Sequence, residues 1–168
     1  YHNYNFSHIF KVDDDTLVNP IALLSLCLTG KDYVGRGKIV DRGFNRFWHR
    51  GKCESSIKNQ IAYPANRIHY GTVYAKGEVG YFLSRRAIGA LIPQEQYLLT
   101  DLYEDKAIGD CLKRANILLQ ETEQFTSKLY ENFPDGKAID AWTVIVDAQT
   151  HQLDLYHKHL SKKVFHLN

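Results

Sequence analysis

Three consecutive carboxylates, Asp13, Asp14 and Asp15, are the residues of this sequence with the clearest chemical potential. They follow an apolar, β-favouring run, so a buried strand is expected to end where three like charges meet. Such crowding is costly unless a cation offsets it. Carboxylate oxygens suit Mn²⁺ or Mg²⁺, which take one or two protein carboxylates and complete their shell with phosphate and water. We therefore predict that Asp13 and Asp15 hold such an ion, with an acidic surface turn as the alternative.

Two other functions of acidic residues at the end of a strand, calcium binding and phosphatase chemistry, fit the sequence less well. A calcium loop beginning at Asp13 would need glycine at its sixth position and glutamate at its twelfth, where the chain has Val18 and Leu24. A phosphatase of the DxDxT type would need threonine or valine where the chain has Leu17. No later acidic pair with a lysine completes that site. A phosphatase is therefore an outsider, distinguishable by turnover of a generic phosphomonoester.

Further candidates lie in the second half of the chain. Glu104 and Asp105 open a stretch with a one-sided apolar stripe, so they are expected at a helix N-terminus, where the helix dipole favours anions. Asp105, at this loop-to-helix junction, could accept a proton from a substrate hydroxyl; the alternative is a plain dipole partner. His157 and His159 alternate along a predicted strand and would point to the same face. Imidazole there could ligate Mn²⁺.

The elements that must position these groups alternate between strand and helix patterns. Pro20 and Ser84 lie where helices are expected to begin, and Gly30 and Pro93 where they are expected to end. Strands are predicted at 6–12, 33–36, 81–84, 116–119, 141–147 and 152–157, and helices at 20–29, 85–92 and 104–115, with regular structure also expected at 69–74. This order predicts an α/β fold in a single domain, residues 1–168.

Two further stretches indicate a binding site. Gly77 and Gly80 flank Glu78 just before an aromatic strand, which indicates backbone that passes close to a ligand or a neighbouring strand. Residues 38–66 are rich in Arg, Gly, Lys, Asn and aromatic residues and are predicted to form a long irregular excursion, with a hairpin as an option. Loops of this length are more often functional than accidental.

The composition excludes several classes of protein. With 44% apolar and 24% charged residues and a net charge of +2, the chain gives no electrostatic reason to expect nucleic acid or an anionic membrane as partner. No run of about 18 apolar residues could span a bilayer. Cys27, Cys53 and Cys111 lack the spacing of a disulfide framework or a zinc site, and Cys27 and Cys111 are predicted to be core residues.

Four blocks of the sequence are informative together: KVDDDTLVN at 11–19, YAKGEVGYFLS at 74–84, EDKAIGDCL at 104–112 and YHKHL at 156–160. The first resembles the metal-binding DxD segment of the β1,3-galactosyltransferase and Fringe family. The next two are similar to that family's Y-x-x-G-x-G-Y-hydrophobic-S and E-D-V-x-x-G-x-C-L blocks, and the last to the F-H-x-H-L ending of Fringe-type members. Four blocks in the family's order are far more specific than any one of them.

The resemblance implies an inverting transferase of the GT-A fold, with a mixed sheet flanked by helices, that uses a UDP-sugar and Mn²⁺ or Mg²⁺. It would transfer a hexose or N-acetylhexosamine to a sugar hydroxyl of a glycan or glycoprotein, with a β1,3-type linkage. Apart from the resemblance, we predict that Tyr81, Trp48 and residues 38–66 serve as sugar platforms and acceptor selectors. A non-catalytic carbohydrate-binding or structural fragment is the rival interpretation.

The resemblance also implies roles for individual residues. Asp15 would be the principal metal ligand, Asp13 and Asp14 would contact ribose, water or metal, and His159 or His157 would complete the metal site. Asp105 would be the general base, and Gly77, Glu78 and Gly80 would lie along the donor sugar.

The chain also departs from the family pattern. Lys106 replaces the usual valine, which is interpreted as a change on a solvated helix face. Ala75 stands where many members have a cysteine, which removes an expected disulfide and weakens the case for the Golgi lumen. Because the chain opens with Tyr1 at the DxD strand, the N-terminal nucleotide-binding half and any membrane anchor are expected to lie outside it. Location stays open between the Golgi lumen, for a eukaryotic source, and the cytoplasm, for a bacterial or viral one.

Overall fold

The computed structural model describes residues 4–13, 16–18, 20–45, 65–122, 124–126 and 143–145. Within these ranges short strands and helices combine in a mixed α/β arrangement, which confirms the predicted fold class; a single domain over 1–168 stays a prediction. The strands are β1 (His8–Lys11), β2 (Thr16–Val18), β3 (Tyr33–Gly35), β4 (Gly37–Ile39), β5 (Val73–Ala75), β6 (Tyr81–Ser84), β7 (Gln120–Glu121), β8 (Phe125–Thr126) and β9 (Thr143–Ile145). The helices are α1 (Pro20–Leu24), α2 (Arg85–Leu91), α3 (Glu95–Leu99) and α4 (Glu104–Arg114), with 3₁₀ turns at Ala65–Arg67, Gly77–Val79 and Ile92–Gln94.

A four-stranded mixed sheet in the order β1-β6-β3-β7 is the frame on which the described elements are arranged. Strand β6 pairs antiparallel with both β1 and β3, whereas β3 and β7 run parallel. A three-stranded sheet has the order β2-β9-β8. Strands β4 and β5 form an antiparallel pair that joins residues 37–39 to residues 73–75, on either side of most of the long excursion. A hairpin within residues 38–66 stays a prediction.

Side-chain alternation along β6 divides the core into two layers. Tyr81 and Leu83 belong to a layer built with helices α2 and α4. Phe82 belongs to the opposite layer with Phe125 and the partly buried Phe10. The rings of Phe10 and Phe82 have centroids 4.7 Å apart, so aromatic packing holds β1 against β6.

Helix α4 packs closely on β5, and its apolar stripe is buried as predicted. A Cβ added to Gly109 would collide with the Cβ of Tyr74 and lie 3.1 Å from its Cα, so glycine permits this approach. The interpretation of Lys106 as a solvated residue is wrong. Its side chain is fully buried, because its ammonium is paired with Asp110 one turn later and donates to the carbonyl of Arg67 at 2.7 Å.

Helix α2 begins where the sequence predicts, but the helical run does not end at Pro93 as predicted. The Ala87 N–H donates to Ser84 Oγ at 3.1 Å, which confirms the predicted N-cap. Pro93 does not end the helical run. It lies in the 3₁₀ turn between α2 and α3, at the start of a turn, where its missing N–H removes no helical hydrogen bond.

Two predicted elements are shifted or shortened. Helix α1 ends at Leu24 and Cys27 is exposed, so its predicted core position is wrong. The helix stops where the Ser25 hydroxyl donates to the Ala22 carbonyl at 2.9 Å, a local bond that competes with helix continuation. The strand predicted at 116–119 begins at Gln120 instead, because residues after α4 form its exit turn, with Asn116 at φ 57°.

Several predictions fall on residues that lie outside the described ranges. These are the strand at 152–157, most of the excursion between 46 and 64, Cys53 and Trp48. The strand predicted at 141–147 is present over the described part, as β9.

Candidate active site

An open cleft of about 650 Å³ lies where the end of β1, the β4–β5 pair, the turn Gly77–Val79 and the start of α4 meet. It brings together residues from three of the four sequence blocks described above. Its lining side chains carry both charges and include an apolar wall. They are Lys11, Asp13, Lys38, Ile39, Asp41, Gly43, Phe44, Asn45, Tyr74, Lys76, Gly77, Glu78, Leu102, Tyr103, Glu104 and Asp105.

Asp105, the predicted general base, lies half-buried in this cleft at the first turn of α4. Its Oδ2 accepts a hydrogen bond from the Gly77 N–H at 3.1 Å, and its Oδ1 accepts one from the Lys106 N–H at 2.8 Å. Burial raises the pKa of Asp105, although these two hydrogen bonds favour the charged form. The carboxylate is therefore held in place and is more basic than a free aspartate.

Lys11 connects the acidic triplet with the start of α4. Its Nζ lies 2.5 Å from Asp13 Oδ1 and 3.2 Å from Glu104 Oε2. Burial opposes the charge on Lys11, but the hydrogen bond to Asp13 and the charge of Glu104 outweigh it and raise the pKa of the ammonium. Lys11 thus stays protonated between two carboxylates that come from distant parts of the sequence.

Tyr81, a fully buried residue of β6, contacts Glu104, which is also the partner of Lys11. Its hydroxyl donates to Glu104 Oε1 at 2.6 Å, and its ring contacts that of Tyr33 edge-on at a centroid distance of 5.8 Å. Burial, followed by the charge of Glu104, raises the pKa of Tyr81 far above its ordinary value. The prediction of Tyr81 as a sugar platform is wrong, because the residue is fully buried and absent from the cleft lining.

The predicted donor-binding segment 77–80 divides into two parts. Gly77 and Glu78 line the cleft, and the Glu78 carbonyl accepts a hydrogen bond from Thr16 Oγ1 at 3.2 Å. Gly80 instead packs under β1: at φ 75°, an added Cβ would lie 2.7 Å from Phe10 Cζ and 2.8 Å from the Lys11 carbonyl oxygen. Donor contacts of all three residues stay predictions, and the structure gives Gly80 a packing role.

Asp13 is the member of the predicted metal site that the structure describes. It lines the cleft and offers carboxylate oxygens of the kind that Mn²⁺ and Mg²⁺ prefer. Asp14, Asp15, His157 and His159 lie outside the described residues, so their metal and donor contacts stay predictions. Within the described part of the chain, His, Cys, Asp and Glu side chains form no group of three suited to hold a metal.

Lys11 and Glu104 also line the cleft, although their sequence context predicts no part for them in the reaction. Lys11 is two residues from Asp13, so the period of a strand could have placed both side chains on one face. The sequence predicts Glu104 only as a dipole partner at the helix start, whereas in the structure it accepts a hydrogen bond from Tyr81 and pairs with Lys11. The apolar wall formed by Ile39, Phe44 and Leu102 has no sequence signal beyond its position near the predicted excursion and the helix start.

The family comparison agrees with this arrangement. A family model described as galactosyltransferase matches residues 2–123, which include the acidic triplet, the glycine block and the start of α4. The chain belongs to this galactosyltransferase family, which confirms the predicted resemblance at that level. The family supports a glycosyltransferase role, with a sugar donor and an acceptor as partners. No curated protein matches the chain.

Among the residues that the structure describes, no helix has the length and apolar character needed to cross a bilayer.

Proposed function

We propose that the protein is a metal-dependent, inverting glycosyltransferase that moves a hexose or N-acetylhexosamine from a UDP-sugar to a sugar hydroxyl, with a β1,3-type linkage. The observation that carries the proposal is the placement of Asp105 in one cleft with Asp13, Gly77 and Glu78. A carboxylate held by two backbone N–H groups, with its pKa raised by burial, suits a general base. Membership of a galactosyltransferase family supports the reaction class.

In this proposal, Asp105 takes the proton from the acceptor hydroxyl as the hydroxyl oxygen attacks the anomeric carbon of the donor. The new carbon–oxygen bond forms on the face opposite the departing diphosphate, whose bond to the anomeric carbon breaks with its electron pair. A single displacement with one base and no covalent intermediate inverts the anomeric centre. The two hydrogen bonds that hold the Asp105 carboxylate fix its direction before the acceptor arrives.

The metal would be held by Asp13 and Asp15, with Asp14 and one of His157 and His159 as further contacts. When bound, Mn²⁺ or Mg²⁺ would neutralise charge developing on the departing diphosphate. Gly77 and Glu78 lie where backbone could approach a donor sugar, since Gly77 has no side chain to fill that part of the cleft. Gly80 would contribute by fixing the turn that carries them. The acceptor would be a glycan or a glycoprotein.

The experiment is a transfer assay on the full chain with UDP-hexoses and UDP-N-acetylhexosamines and a panel of sugar acceptors. We expect a product whose new linkage is β from an α-configured donor, as determined by NMR coupling constants. Transfer should stop on addition of EDTA and return with excess Mn²⁺. A product with retained configuration would contradict a single displacement, and undiminished transfer in EDTA would contradict metal dependence.

A non-catalytic carbohydrate-binding or structural role is the alternative outcome. It predicts saturable binding of Mn²⁺-UDP or of a glycan without turnover of any donor. Measurement of binding beside transfer separates the two possibilities. Turnover of a generic phosphomonoester would instead point to a phosphatase.

A further inference from the structure

We infer that Lys11 is a positioning residue for the transfer reaction: it ties the first carboxylate of the acidic triplet to the glutamate beside the base and so fixes Asp105 in the cleft. This inference rests on the proposed function, since it assigns Lys11 a part in the same reaction.

The geometry of Lys11 is that of a bridge between two segments. Its Nζ is 2.5 Å from Asp13 Oδ1 and 3.2 Å from Glu104 Oε2, so it contacts residues 2 and 93 positions away in the chain. The Lys11 side chain is 30% exposed, against 42% for Asp13 and 54% for Glu104, so the ammonium is the more enclosed partner in each pair. Ion pairs at a partly enclosed site are screened less than those on an open surface.

Glu104 has a partner on each of its two carboxylate oxygens, which restricts the orientation of its side chain. Tyr81 donates to Oε1 at 2.6 Å and Lys11 approaches Oε2, so both oxygens of this carboxylate are engaged. Tyr81 is fully buried in β6, and Lys11 ends β1, its neighbour in the sheet. The first residue of α4 is therefore fastened to the four-stranded sheet. Asp105 is the next residue along the helix, so its carboxylate is placed by the same anchor.

Lys11 and Asp105 also converge on one glycine. A Cβ built on Gly77 would lie 3.3 Å from Lys11 Nζ and 3.5 Å from Asp105 Oδ2. Both charged groups thus border the small volume that glycine leaves open. Burial raises the pKa of Asp105. The positive charge of Lys11 partly offsets this rise because it favours the ionised carboxylate.

Burial of Asp105 and the charge of Glu104 act in the opposite direction, whereas the two backbone N–H groups act in the same direction as Lys11. Glu104 lies on the same helix as Asp105. Burial raises the pKa of the three tyrosines on β3, β5 and β6, and the charge of Asp105 adds to this rise. The carboxyl and ammonium groups that line the same cleft are Asp13, Lys38, Asp41, Lys76 and Glu78. Lys76 is paired with Glu78 at 3.6 Å, so it makes a different local contact from Lys11.

Without Lys11, the carboxylates of Asp13 and Glu104 would lose their shared cation, and Glu104 would keep only Tyr81 as a partner among these contacts. The first turn of α4 would then lose one of the two side-chain contacts by which Glu104 holds it to the sheet. A small displacement of a base lowers the rate of the chemical step more than the affinity for the acceptor, because the base acts in the transition state. The defect should therefore appear in kcat.

The test compares Lys11→Gln, Lys11→Arg and the matched control Lys76→Gln in the full chain. Lys11→Gln should lower kcat by about 10- to 100-fold with little change in the KM for acceptor, whereas Lys11→Arg should restore most of the rate. Lys76→Gln, which removes one positive charge from the same cleft, should lower kcat much less. Equal losses in Lys11→Gln and Lys76→Gln would overturn the inference, as would a Lys11→Arg variant no better than Lys11→Gln.

A double-mutant cycle with Glu104→Gln isolates the bridge itself. If the two residues act as a unit, adding Lys11→Gln to Glu104→Gln should lower kcat far less than Lys11→Gln does alone, whereas additive losses would overturn the inference. Thermal unfolding establishes that each variant is folded. If Lys11→Gln does not fold, Lys11→Met, which keeps the aliphatic stem, takes its place in the same comparison.

A readout independent of turnover separates this inference from the proposed function. NMR titration of the Asp105 side-chain carboxyl carbon, without metal or substrate, should show a higher midpoint in Lys11→Gln than in the unmodified chain and no such rise in Lys11→Arg. An unchanged midpoint in Lys11→Gln would overturn the inference even if transfer occurs. A chain without any transfer would refute the proposed function, while a raised midpoint would still support the contact between Lys11 and the base.

Discussion

Lys106 shows at the scale of one residue how a charged side chain can belong to the core. Its spacing of four from Asp110 is typical of an exposed helix pair, so the sequence favoured a solvated position. In the fold, both side chains are buried, and Tyr97 also donates to Asp110 Oδ2 at 3.2 Å. The long aliphatic stem of lysine lets it cross the apolar layer before its ammonium meets a partner. No single-sequence pattern separates this case from the exposed one.

The buried pair gives a direct prediction about stability. Replacement of Lys106 by the family's usual valine should lower the free energy of unfolding by about 3–5 kcal/mol, because the Asp110 carboxylate stays buried without its cation. The double variant Lys106→Val with Asp110→Ala should recover part of the loss, since it removes the stranded charge. Urea unfolding measures both, with Lys113→Val on the exposed side of α4 as the control. A single variant as stable as the control would contradict the buried-pair account.

Helix α4 shows what the sequence can and cannot predict at the scale of an element. Its start at Glu104 and its buried stripe follow from apolar spacing, and the Ser84 cap of α2 follows from side-chain chemistry. These signals are local, so they are present in the sequence itself. The early end of α1 and the shift of β7 to Gln120 depend on a competing hydroxyl bond and on an exit turn, which local patterns do not distinguish from continuation.

The close contact between α4 and β5 gives a prediction about the stability of the protein. Gly109→Ala should destabilise the protein by about 1–3 kcal/mol through overpacking against Tyr74. An isolated helix would gain about 1 kcal/mol from the same change, so the sign of the effect reports on the packing. Thermal or urea unfolding checks it, with Lys113→Ala as the control on the same helix. A stabilised Gly109→Ala variant would show that α4 and β5 do not approach this closely.

At the scale of the whole molecule, the cleft joins segments that are distant in the chain. Asp13 just after β1, the turn after β5 and the first turn of α4 meet because β6 pairs with β1 along one edge and packs against α4 through Tyr81 and Leu83. The sequence identified Asp13, Gly77, Glu78 and Asp105 as candidates through their residue types. It could not predict that Lys11 and Glu104 link them, because an ion pair across 93 residues leaves no local pattern.

The burial that makes Asp105 more basic also lowers the stability of the folded chain. Its pKa in the folded chain is raised above that of an unfolded aspartate, about 3.9, so ionisation costs folding free energy above that pH. As the pH falls below about 3.9, the carboxyl is protonated in both states and the cost disappears. Asp105→Asn removes this cost, but its amide oxygen can accept from only one of the two backbone N–H groups. The free energy of unfolding of the variant relative to the unmodified chain should therefore rise as the pH increases from about 4 to 7, as measured by urea unfolding.

The measurement that tests the central claim most directly is transfer by Asp105→Asn, with Mn²⁺-UDP binding measured on the same preparation. We expect kcat to fall by at least about 100-fold, since the amide cannot accept the acceptor's proton, while binding of Mn²⁺-UDP persists. Glu95→Gln, an exposed carboxylate-to-amide change on α3, should leave transfer unchanged. Near-normal kcat in Asp105→Asn would contradict the account, because Asp105 would then not be the base of this cleft.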